Sequence, residues 1–395
     1  MPKRKNTSIK PYKLKNGETR YQFVISLGKN SNGKRVQSHR RGFKSYAEAE
    51  DAFNKLSQTK PDNYVKQKQI KVKDVYDLWF ENYKTTVKES TANKNKQVFK
   101  NHVNSYFGNS YLDQVTVVDL QKWADNLAKK IVNYRDPINE FSVIFEYGMR
   151  LNYVEENPIK RILIPKKTAR KRRDIEHNVY SRSELNKFMS IAKKKDIMKY
   201  TYFKILSSTG MRKAEVLALT WDDVDLINET ISVNRTLAYG LDGKTILQPP
   251  KSPKSKRTIP ISASLLSTLL KYKKERKIIS NKLFHTHQGN YLRLSKPDQW
   301  LQSIYQEDHK INVEFAKENN LDVDTYTLNH DLRHITLHGF RHTFATLLIS
   351  ETDIKPKTVQ MLLGHENIKM TLDLYTHINK KNMDDALDAL SRLNI

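Results

Sequence analysis

The chain has 395 residues, no cysteine, and 70 Lys and Arg against 43 Asp and Glu, which gives a formal net charge of +27. The charge predicts a polyanionic partner, and nucleic acid is favoured over a membrane surface because binding to phosphates releases counterions. Without cysteine, disulfides, thiolate metal sites and cysteine nucleophiles are excluded. No run of 18 apolar residues and no apolar signal core is present, so we expect a soluble, intracellular protein.

Residues 1–60 predict a small β-sheet with a helix behind it. Strands are expected at 20–27 and 34–43, joined by a turn that is rich in Gly and Asn. Ser45 and Glu48 have the spacing of a capping box that opens a helix.

Basic residues alternate with aromatic ones along this predicted sheet. Tyr21, Phe23 and Tyr46 lie among or close to the basic positions, and the mixture is typical of a surface that enters a DNA groove. A solvated basic sheet packed on one helix is the alternative, and the charge of the whole chain favours DNA contact. The candidate DNA-binding residues of this segment are Arg20, Lys34, Arg35, Arg40 and Arg41.

Residues 70–165 predict an all-α domain of four or five helices, because apolar residues recur there at helical spacing. A polar stretch at 57–69 has the composition of a linker in front of it. The polar faces of these helices are rich in lysine, and a solvated charged face explains those residues about as well as DNA contact does. The candidates for DNA contact are Lys94, Lys96 and Lys100.

The run at 166–173 is strongly basic and coincides with the end of the helical pattern, so it is interpreted as an interdomain linker. It could contact phosphates, or it could be only a connector. The remaining block, from about residue 175, predicts a mixed α+β domain, mostly helical with a small antiparallel sheet. Its strands are expected at 230–237, 244–248 and 257–261, and Gly240 and Gly243 mark the turn between the first two.

Arg212 follows a glycine turn and precedes a helix in the segment Thr209-Gly-Met-Arg212. A guanidinium beside a helix N-terminus favours an anion, because its planar donors match two phosphate oxygens. Glu215 lies one turn further on and is placed to hold Arg212. Taken alone, the segment is explained better as a surface ion pair that caps a core helix.

His338 and Arg341 are three residues apart and would share one face of a helix. His330 and Arg333 have the same spacing eight residues earlier. We favour the second pair because an amphipathic helical pattern continues after it, which would anchor both side chains on a rigid element.

His365 and Tyr375 lie ten residues apart, after a helix that is expected to begin near Pro356 and to end at Gly364. Asn367 can cap a further helix that carries Tyr375. Two short helices at an angle could bring both side chains to one cleft. An arbitrary histidine or tyrosine more often has a structural role, so only the whole set of residues favours chemistry.

Together these motifs resemble the signature of the tyrosine recombinases, the phage-integrase family. Arg212, the block from His338 to Arg341, and Leu-Gly-His365 with Tyr375 ten residues later carry the resemblance in content and in order. It implies an arm-type DNA-binding domain at 1–60, a helical, SAM-like core-binding domain at 70–165 and a catalytic domain at 175–395. The presence of the first of these is typical of an integrase of a phage or mobile element.

The resemblance also implies a reaction and a set of roles. Tyr375 would attack the scissile phosphate and form a 3′-phosphotyrosyl bond, with no metal or other cofactor required. A lysine on a β-hairpin would protonate the leaving oxygen; Lys251 is assigned to it, with Lys254 and Lys256 as alternatives. Glu215 would orient Arg212. The implied catalytic residues are Arg212, Lys251, His338, Arg341, His365 and Tyr375.

The implied partners are double-stranded DNA at specific attachment sites and three further copies of the chain, because strand exchange needs a tetramer on DNA. A directionality factor and a DNA-bending host protein commonly assist this family, and the expected setting is the prokaryotic cytoplasm, on the nucleoid. The amphipathic pattern at 382–395 predicts a helix that docks either on a neighbouring protomer or on its own domain. A resolvase, a type IB topoisomerase and a regulator without catalysis are the alternative functions.

Overall fold

The structure, a computed structural model, describes residues 6–14, 17–29, 35–59, 69–166, 178–250, 252, 255–276 and 280–375. The chain divides into two compact units, Met1–Arg170 and Lys171–Ile395. Among the described residues, no helix combines the length and the apolar character needed to cross a bilayer. The helix predicted at 382–395 lies outside the described residues.

The first unit opens with a three-stranded antiparallel sheet in the order β1-β2-β3. Its strands are β1 (Ile9–Lys13), β2 (Thr19–Lys29) and β3 (Arg35–Phe43), and α1 (Tyr46–Ser57) packs behind them. The side chain of Ser45 accepts a hydrogen bond from the backbone N–H of Glu48, as predicted. The sequence analysis found β2, β3 and α1 but missed β1.

One face of this sheet packs on α1. Phe23 and Ile25 are buried there, and Tyr21 packs against the same cluster. The prediction that Tyr21 and Phe23 belong to a DNA-binding surface is therefore wrong. Side chains of a strand alternate between its two faces, so the aromatic residues at odd positions of β2 face the core while Arg20 and Gln22 face the other way.

The rest of the first unit is helical, as predicted for 70–165. The helices are α2 (Val72–Thr86), α3 (Glu89–Val98), α4 (Ser105–Phe107), α5 (Val117–Lys130) and α6 (Arg135–Arg150). A π-helical segment, Phe99–Asn104, joins α3 to α4. The rings of Phe107, Trp123 and Phe141 meet at centroid distances of 5.2–5.8 Å and form the centre of the core.

The second unit is mostly helical, with two small antiparallel sheets. Its first elements are α7 (Arg182–Lys195), α8 (Ile197–Thr209), α9 (Lys213–Leu217), β4 (Val224–Asp225), β5 (Thr230–Val233), β6 (Thr236–Tyr239), β7 (Thr245–Gln248) and β8 (Arg257–Pro260). Then follow α10 (Ala263–Glu275), α11 (Lys296–Glu318), α12 (Val323–His330), α13 (Leu337–Glu351) and α14 (Pro356–Leu363). Residues 369–375 are also helical.

The single strand predicted at 230–237 is wrong. The segment forms two strands that belong to different sheets: β5 pairs with β4 and β8, and β6 pairs with β7. The break falls at Arg235, whose Nη2 donates to both carboxylate oxygens of Asp223 at 2.7 and 2.8 Å. This ion pair lies at the point where the chain leaves one sheet and enters the other. The turn at Gly243 between β6 and β7 was predicted correctly.

Candidate active site

Arg212 is positioned by the turn between α8 and α9. Gly210 ends α8 in the left-handed conformation with φ +61°, and a Cβ there would lie 2.5 Å from the Phe344 ring. Arg212 then caps the N-terminus of α9, where its Nη1 donates to Oε1 of Glu215 at 2.8 Å and its backbone N–H donates to Oε2 at 2.9 Å. The Arg212 side chain is 37% exposed and the Glu215 side chain 3%, so the pair presents a guanidinium to solvent on a buried carboxylate.

Arg341 lies on α13 and is almost fully buried. Its Nη1 donates to the carbonyl oxygen of Gly210 at 2.8 Å, and its Nη2 donates to that of Leu363 at 2.7 Å. Burial, followed by the nearby charges of Arg212 and Arg257, lowers the pKa of Arg341 to about 9. A positive charge is therefore costly at this position while no anion is present, and a phosphate would relieve that cost.

His365 follows the C-terminus of α14, which ends at Gly364 with φ +65° as the sequence predicted. Its ring is buried, and Nδ1 lies 3.0 Å from Oγ1 of Thr371. Burial and then Arg341 and Arg212 lower the pKa of His365 to about 3. The ring is therefore neutral at pH 7, with one nitrogen engaged by a hydroxyl.

His338 stands on the exposed side of the first turn of α13, with its ring 4.7 Å from that of His342. Neighbouring atoms that exclude part of the water around the ring, followed by His342, Arg341 and Arg212, lower the pKa of His338 to about 4. Part of the ring remains in contact with solvent, so it can receive a ligand. His338, Arg341, Arg212 and His365 are close enough to influence one another's charge, and the structure thus brings four of the predicted residues together.

The rival pair, His330 and Arg333, lies elsewhere in the second unit. His330 stacks on Tyr326 with a centroid distance of 3.9 Å, and Arg333 pairs with Glu184 at 3.2 Å. Neither of these contacts involves the cluster around Arg341.

Tyr375 does not share a hydrogen bond with the other four residues among the bonds the structure describes. Its hydroxyl donates to the carbonyl oxygen of Ile354 at 2.6 Å, and its ring packs on a small cluster that includes Val359 and Leu374. Burial raises the pKa of Tyr375 above its usual value. Asn367 caps the helical residues 369–375 as predicted, because its Oδ1 accepts from the backbone N–H of Lys369 at 2.9 Å.

The predicted lysine position is not located by the structure. Lys251 and Lys254 lie outside the described residues, and Lys256 is exposed just before β8. The sequence analysis missed the neighbouring Arg257. Its side chain is buried and donates from Nη2 to Oε2 of Glu215 at 2.9 Å. Only its position next to the predicted lysine hairpin could have drawn attention to it.

The predicted DNA-binding residues fall into different settings. Arg41 is exposed and pairs in register with Gln22, on the face of the sheet away from α1. Arg40 is in register with Phe23 on the opposite face, near enough to Asp113 to lower the pKa of that carboxyl, which burial nevertheless raises overall. Arg20 pairs with Glu18, and Lys94 pairs with Asp136. Arg35 donates to Ser26. Lys96 and Lys100 are exposed, and Lys34 lies outside the described residues.

The described side chains offer no evident metal site: within those ranges, no three His, Asp or Glu residues are grouped as metal ligands would be. The chemistry available at this place is that of a concentrated set of cationic and neutral donors. Two guanidinium groups and two neutral imidazoles converge, which suits a substrate with phosphate oxygens.

Comparison with known proteins identifies the class. The sequence model of the phage integrase family matches residues 178–382, that of the phage integrase N-terminal SAM-like domain matches 71–128, and that of the arm DNA-binding domain matches 11–59. The chain therefore belongs to the phage integrase family. It is a site-specific tyrosine recombinase of the phage or transposon type, an enzyme that cleaves and rejoins DNA.

Two relatives are similar along nearly their whole length. The chain is 26% identical to the ICEBs1 integrase of Bacillus subtilis (strain 168), with 96% of this chain and 99% of the relative covered. It is also 26% identical to a tyrosine recombinase XerC-like protein of Caldanaerobacter subterraneus subsp. tengcongensis, with 97% and 98% covered.

Solved structures share the fold. The integrase of the Tn1549 transposon in complex with circular intermediate DNA matches with a TM-score of 0.60 at 19% identity, covering 80% of this chain and 100% of that one. A lambda integrase dimer bound to a core site matches with a TM-score of 0.56 at 14% identity, covering 92% and 93%.

Proposed function

We propose that the chain integrates and excises a phage or mobile element by means of a covalent bond between Tyr375 and a DNA 3′-phosphate. The observation that carries this proposal is the convergence of Arg212, Arg341, His338 and His365 at the C-terminus of α14. Arg212 and Arg341 hold the non-bridging oxygens of the scissile phosphate, and His365 donates a further hydrogen bond. These donors stabilise the negative charge of the transition state.

The protonation states support a division of roles between the two histidines. The pKa of His338 is lowered to about 4, so its neutral ring can accept the proton of the Tyr375 hydroxyl. We assign Nδ1 of His365 as the acceptor of the Thr371 hydroxyl, 3.0 Å away; in that tautomer the ring proton lies on Nε2, where it can be donated to a phosphate oxygen. The two imidazoles are thus a base and a donor, although their pKa values shift in the same direction.

The reaction proceeds in two steps, and each step replaces one phosphoester bond with another. The Tyr375 oxygen forms a bond to phosphorus, the bond from phosphorus to the 5′-oxygen breaks, and that oxygen takes a proton from Lys251. Lys254 and Lys256 are the alternatives for this role. In the second step a 5′-hydroxyl from another strand gives its proton to the lysine and attacks the phosphotyrosine. The Tyr375 oxygen leaves with the proton held by His338, and the strands are joined.

Tyr375 reaches the phosphate only after its hydroxyl leaves the carbonyl oxygen of Ile354. The hydrogen bond between them contributes about 0.5–1.5 kcal/mol, so its loss is easily offset by the new contacts of a bound phosphate. Glu215 keeps Arg212 oriented during this change because two of the contacts of the carboxylate are to Arg212 itself.

DNA contact involves more of the chain than the catalytic cluster. We propose three domains, at 1–60, 70–165 and 175–395, that bind DNA together, with Arg41 on the open face of the first sheet and Lys96 and Lys100 on the helical part. Four protomers on two attachment sites carry out strand exchange, with a directionality factor and a DNA-bending protein as partners in the prokaryotic cytoplasm. The lambda integrase dimer and tetramer, both bound to DNA in their structures, support this assembly by similarity.

The test is covalent trapping. The purified full chain is mixed, in the presence of EDTA, with a nicked duplex that carries the element's junction sequence, and adducts resistant to SDS are measured. We expect an adduct with the unmodified chain and with Tyr326→Phe, a tyrosine on α12, but none with Tyr375→Phe. Tyr375→Phe should retain its DNA affinity. Specific binding without an adduct in the unmodified chain, or an adduct in Tyr375→Phe, would contradict the proposal.

A further inference from the structure

Arg257, on β8, uses all three nitrogens of its guanidinium. Nε donates to the carbonyl oxygen of Leu362 at 2.8 Å, Nη1 to that of Ser255 at 3.1 Å, and Nη2 to Oε2 of Glu215 at 2.9 Å. The side chain is 5% exposed. Because the side chain is almost fully buried and each of its three nitrogens is held by a protein acceptor, we do not place Arg257 in direct contact with a DNA phosphate.

The carbonyl group that Arg257 holds belongs to a series. Three arginines from three different elements donate to three consecutive carbonyl oxygens at the C-terminus of α14: Arg257 to Leu362, Arg341 to Leu363, and Arg212, at 3.5 Å, to Gly364. We call this arrangement the arginine clamp. The last carbonyls of a helix lack partners within it and carry partial negative charge, so they can hold several cations close together.

Glu215 provides the other half of the clamp. Burial raises the pKa of its carboxyl, but Arg257 and Arg212 outweigh burial and lower it below its usual value. The carboxylate is therefore ionised, and it is shared between the buried Arg257 and the partly exposed Arg212. Arg257 fixes the position of one oxygen of this carboxylate. The orientation of the Arg212 guanidinium, which the same carboxylate holds, therefore depends on Arg257.

We infer that Arg257 is a positioning residue for DNA cleavage: through Glu215 it orients Arg212 toward the scissile phosphate, and through Leu362 it fixes the helix end that precedes His365. This inference rests on the proposed function, because it assumes that Arg212 binds the phosphate. It also links β8, which follows the predicted lysine hairpin in sequence, to the same cluster.

The test compares two DNA substrates under single-turnover conditions. One has an ordinary scissile phosphodiester; the other has a methylphosphonate there, in which a neutral methyl group replaces a charged oxygen. The charge that Arg212 neutralises is missing from the second substrate, so Arg212→Ala serves as the calibration: it should lose more activity on the phosphodiester than on the methylphosphonate.

Arg257→Met is expected to follow the pattern of Arg212→Ala, with about a 10²-fold loss of cleavage rate on the phosphodiester and a loss of about tenfold or less on the methylphosphonate. Arg257→Lys, which keeps a buried charge with fewer directed donors, should fall between Arg257→Met and the unmodified chain. The matched control is Arg235→Met, which removes another partly buried arginine that pairs with a carboxylate, at Asp223. Any loss in the control should be equal on the two substrates.

An equal loss on both substrates in Arg257→Met, as in the control, would mean a merely structural role and would overturn the inference. If Arg257→Met fails to fold, the same ratio measured on Arg257→Lys decides: a ratio equal to that of the unmodified chain overturns the inference. The proposed function fails separately, if the unmodified chain forms no tyrosine adduct on the phosphodiester or if Arg212→Ala shows no preference between the substrates.

Discussion

Replacing Arg341 with lysine keeps the positive charge but removes the shape of the donor. In the structure the guanidinium donates to the carbonyl oxygens of Gly210 and Leu363 at 2.8 and 2.7 Å, while its side chain remains buried. A lysine ammonium carries its three donors on one nitrogen, so it cannot reach both carbonyl oxygens and a phosphate oxygen in one geometry. At least one of these partners is then left without its hydrogen bond.

The loss of one hydrogen bond sets the expected changes in stability and in cleavage rate. A buried polar group that loses its partner costs about 1–3 kcal/mol, which is the expected decrease in the free energy of unfolding. Loss of one directed donor to a transition-state oxygen costs on the order of 2.7–4 kcal/mol, which corresponds to a cleavage rate about 10²–10³-fold lower. DNA affinity should change little, because most of it comes from phosphate contacts spread over the whole protein.

Single-turnover formation of the covalent adduct on the nicked duplex measures the rate, denaturant unfolding measures stability, and fluorescence anisotropy at fixed salt measures DNA affinity. Arg333→Lys is the matched control, because Arg333 has the same spacing from a histidine but pairs with Glu184 at the surface. The reasoning is refuted if Arg341→Lys cleaves within about threefold of the unmodified chain, or if Arg333→Lys loses as much.

Further predictions concern pH, packing and the first domain. The pKa of His365 is lowered to about 3, so its contribution to stability is present above its usual pKa of 6.5 and is lost as pH falls from 6.5 toward 3. Urea unfolding should therefore show a steeper loss of stability between pH 7 and 5 in the unmodified chain than in His365→Gln; parallel curves would contradict this. Gly210→Ala should cost about 1–3 kcal/mol more than Gly243→Ala in the same assay, because both glycines have positive φ but only at Gly210 would a Cβ meet a ring, at 2.5 Å. Equal losses of stability in the two variants would show that the Phe344 ring moves aside for the added methyl group. Arg41→Ala should weaken binding to DNA of the element's ends and reduce its dependence on salt by about one phosphate contact, whereas Arg40→Ala should not; the reverse result would assign DNA to the other face of the sheet.

Local sequence signals were sufficient to predict those features whose conformation depends on a few neighbouring residues. The Ser45 cap, the Gly364 helix end and the turn at Gly243 each depend on a few neighbouring residues, and all three are as predicted. Helical periodicity likewise located the all-α part of the first unit and α13.

Features that depend on residues distant in the chain could not be predicted from the sequence. The strand predicted at 230–237 divides next to Arg235, which binds Asp223 in a contact that spacing alone does not indicate. The role of Arg257 depends on Glu215 and Leu362, which are 42 and 105 residues away in the chain. The hydrogen bond from Tyr375 to the carbonyl oxygen of Ile354 could not be predicted either, because its acceptor is a backbone atom.

The arginine clamp has a consequence for how this protein can vary. All three of the acceptors at the end of α14 are main-chain oxygens, so the side chains of Leu362 and Leu363 take no part in those bonds. The hydrogen bonds therefore set no requirement on these two side chains, which are limited only by the packing that buries Leu363, whereas Gly364, with φ +65°, sets the path of the backbone. Among diverging relatives, we expect the arginines of such a site to be retained beside any apolar partners that fill the same space.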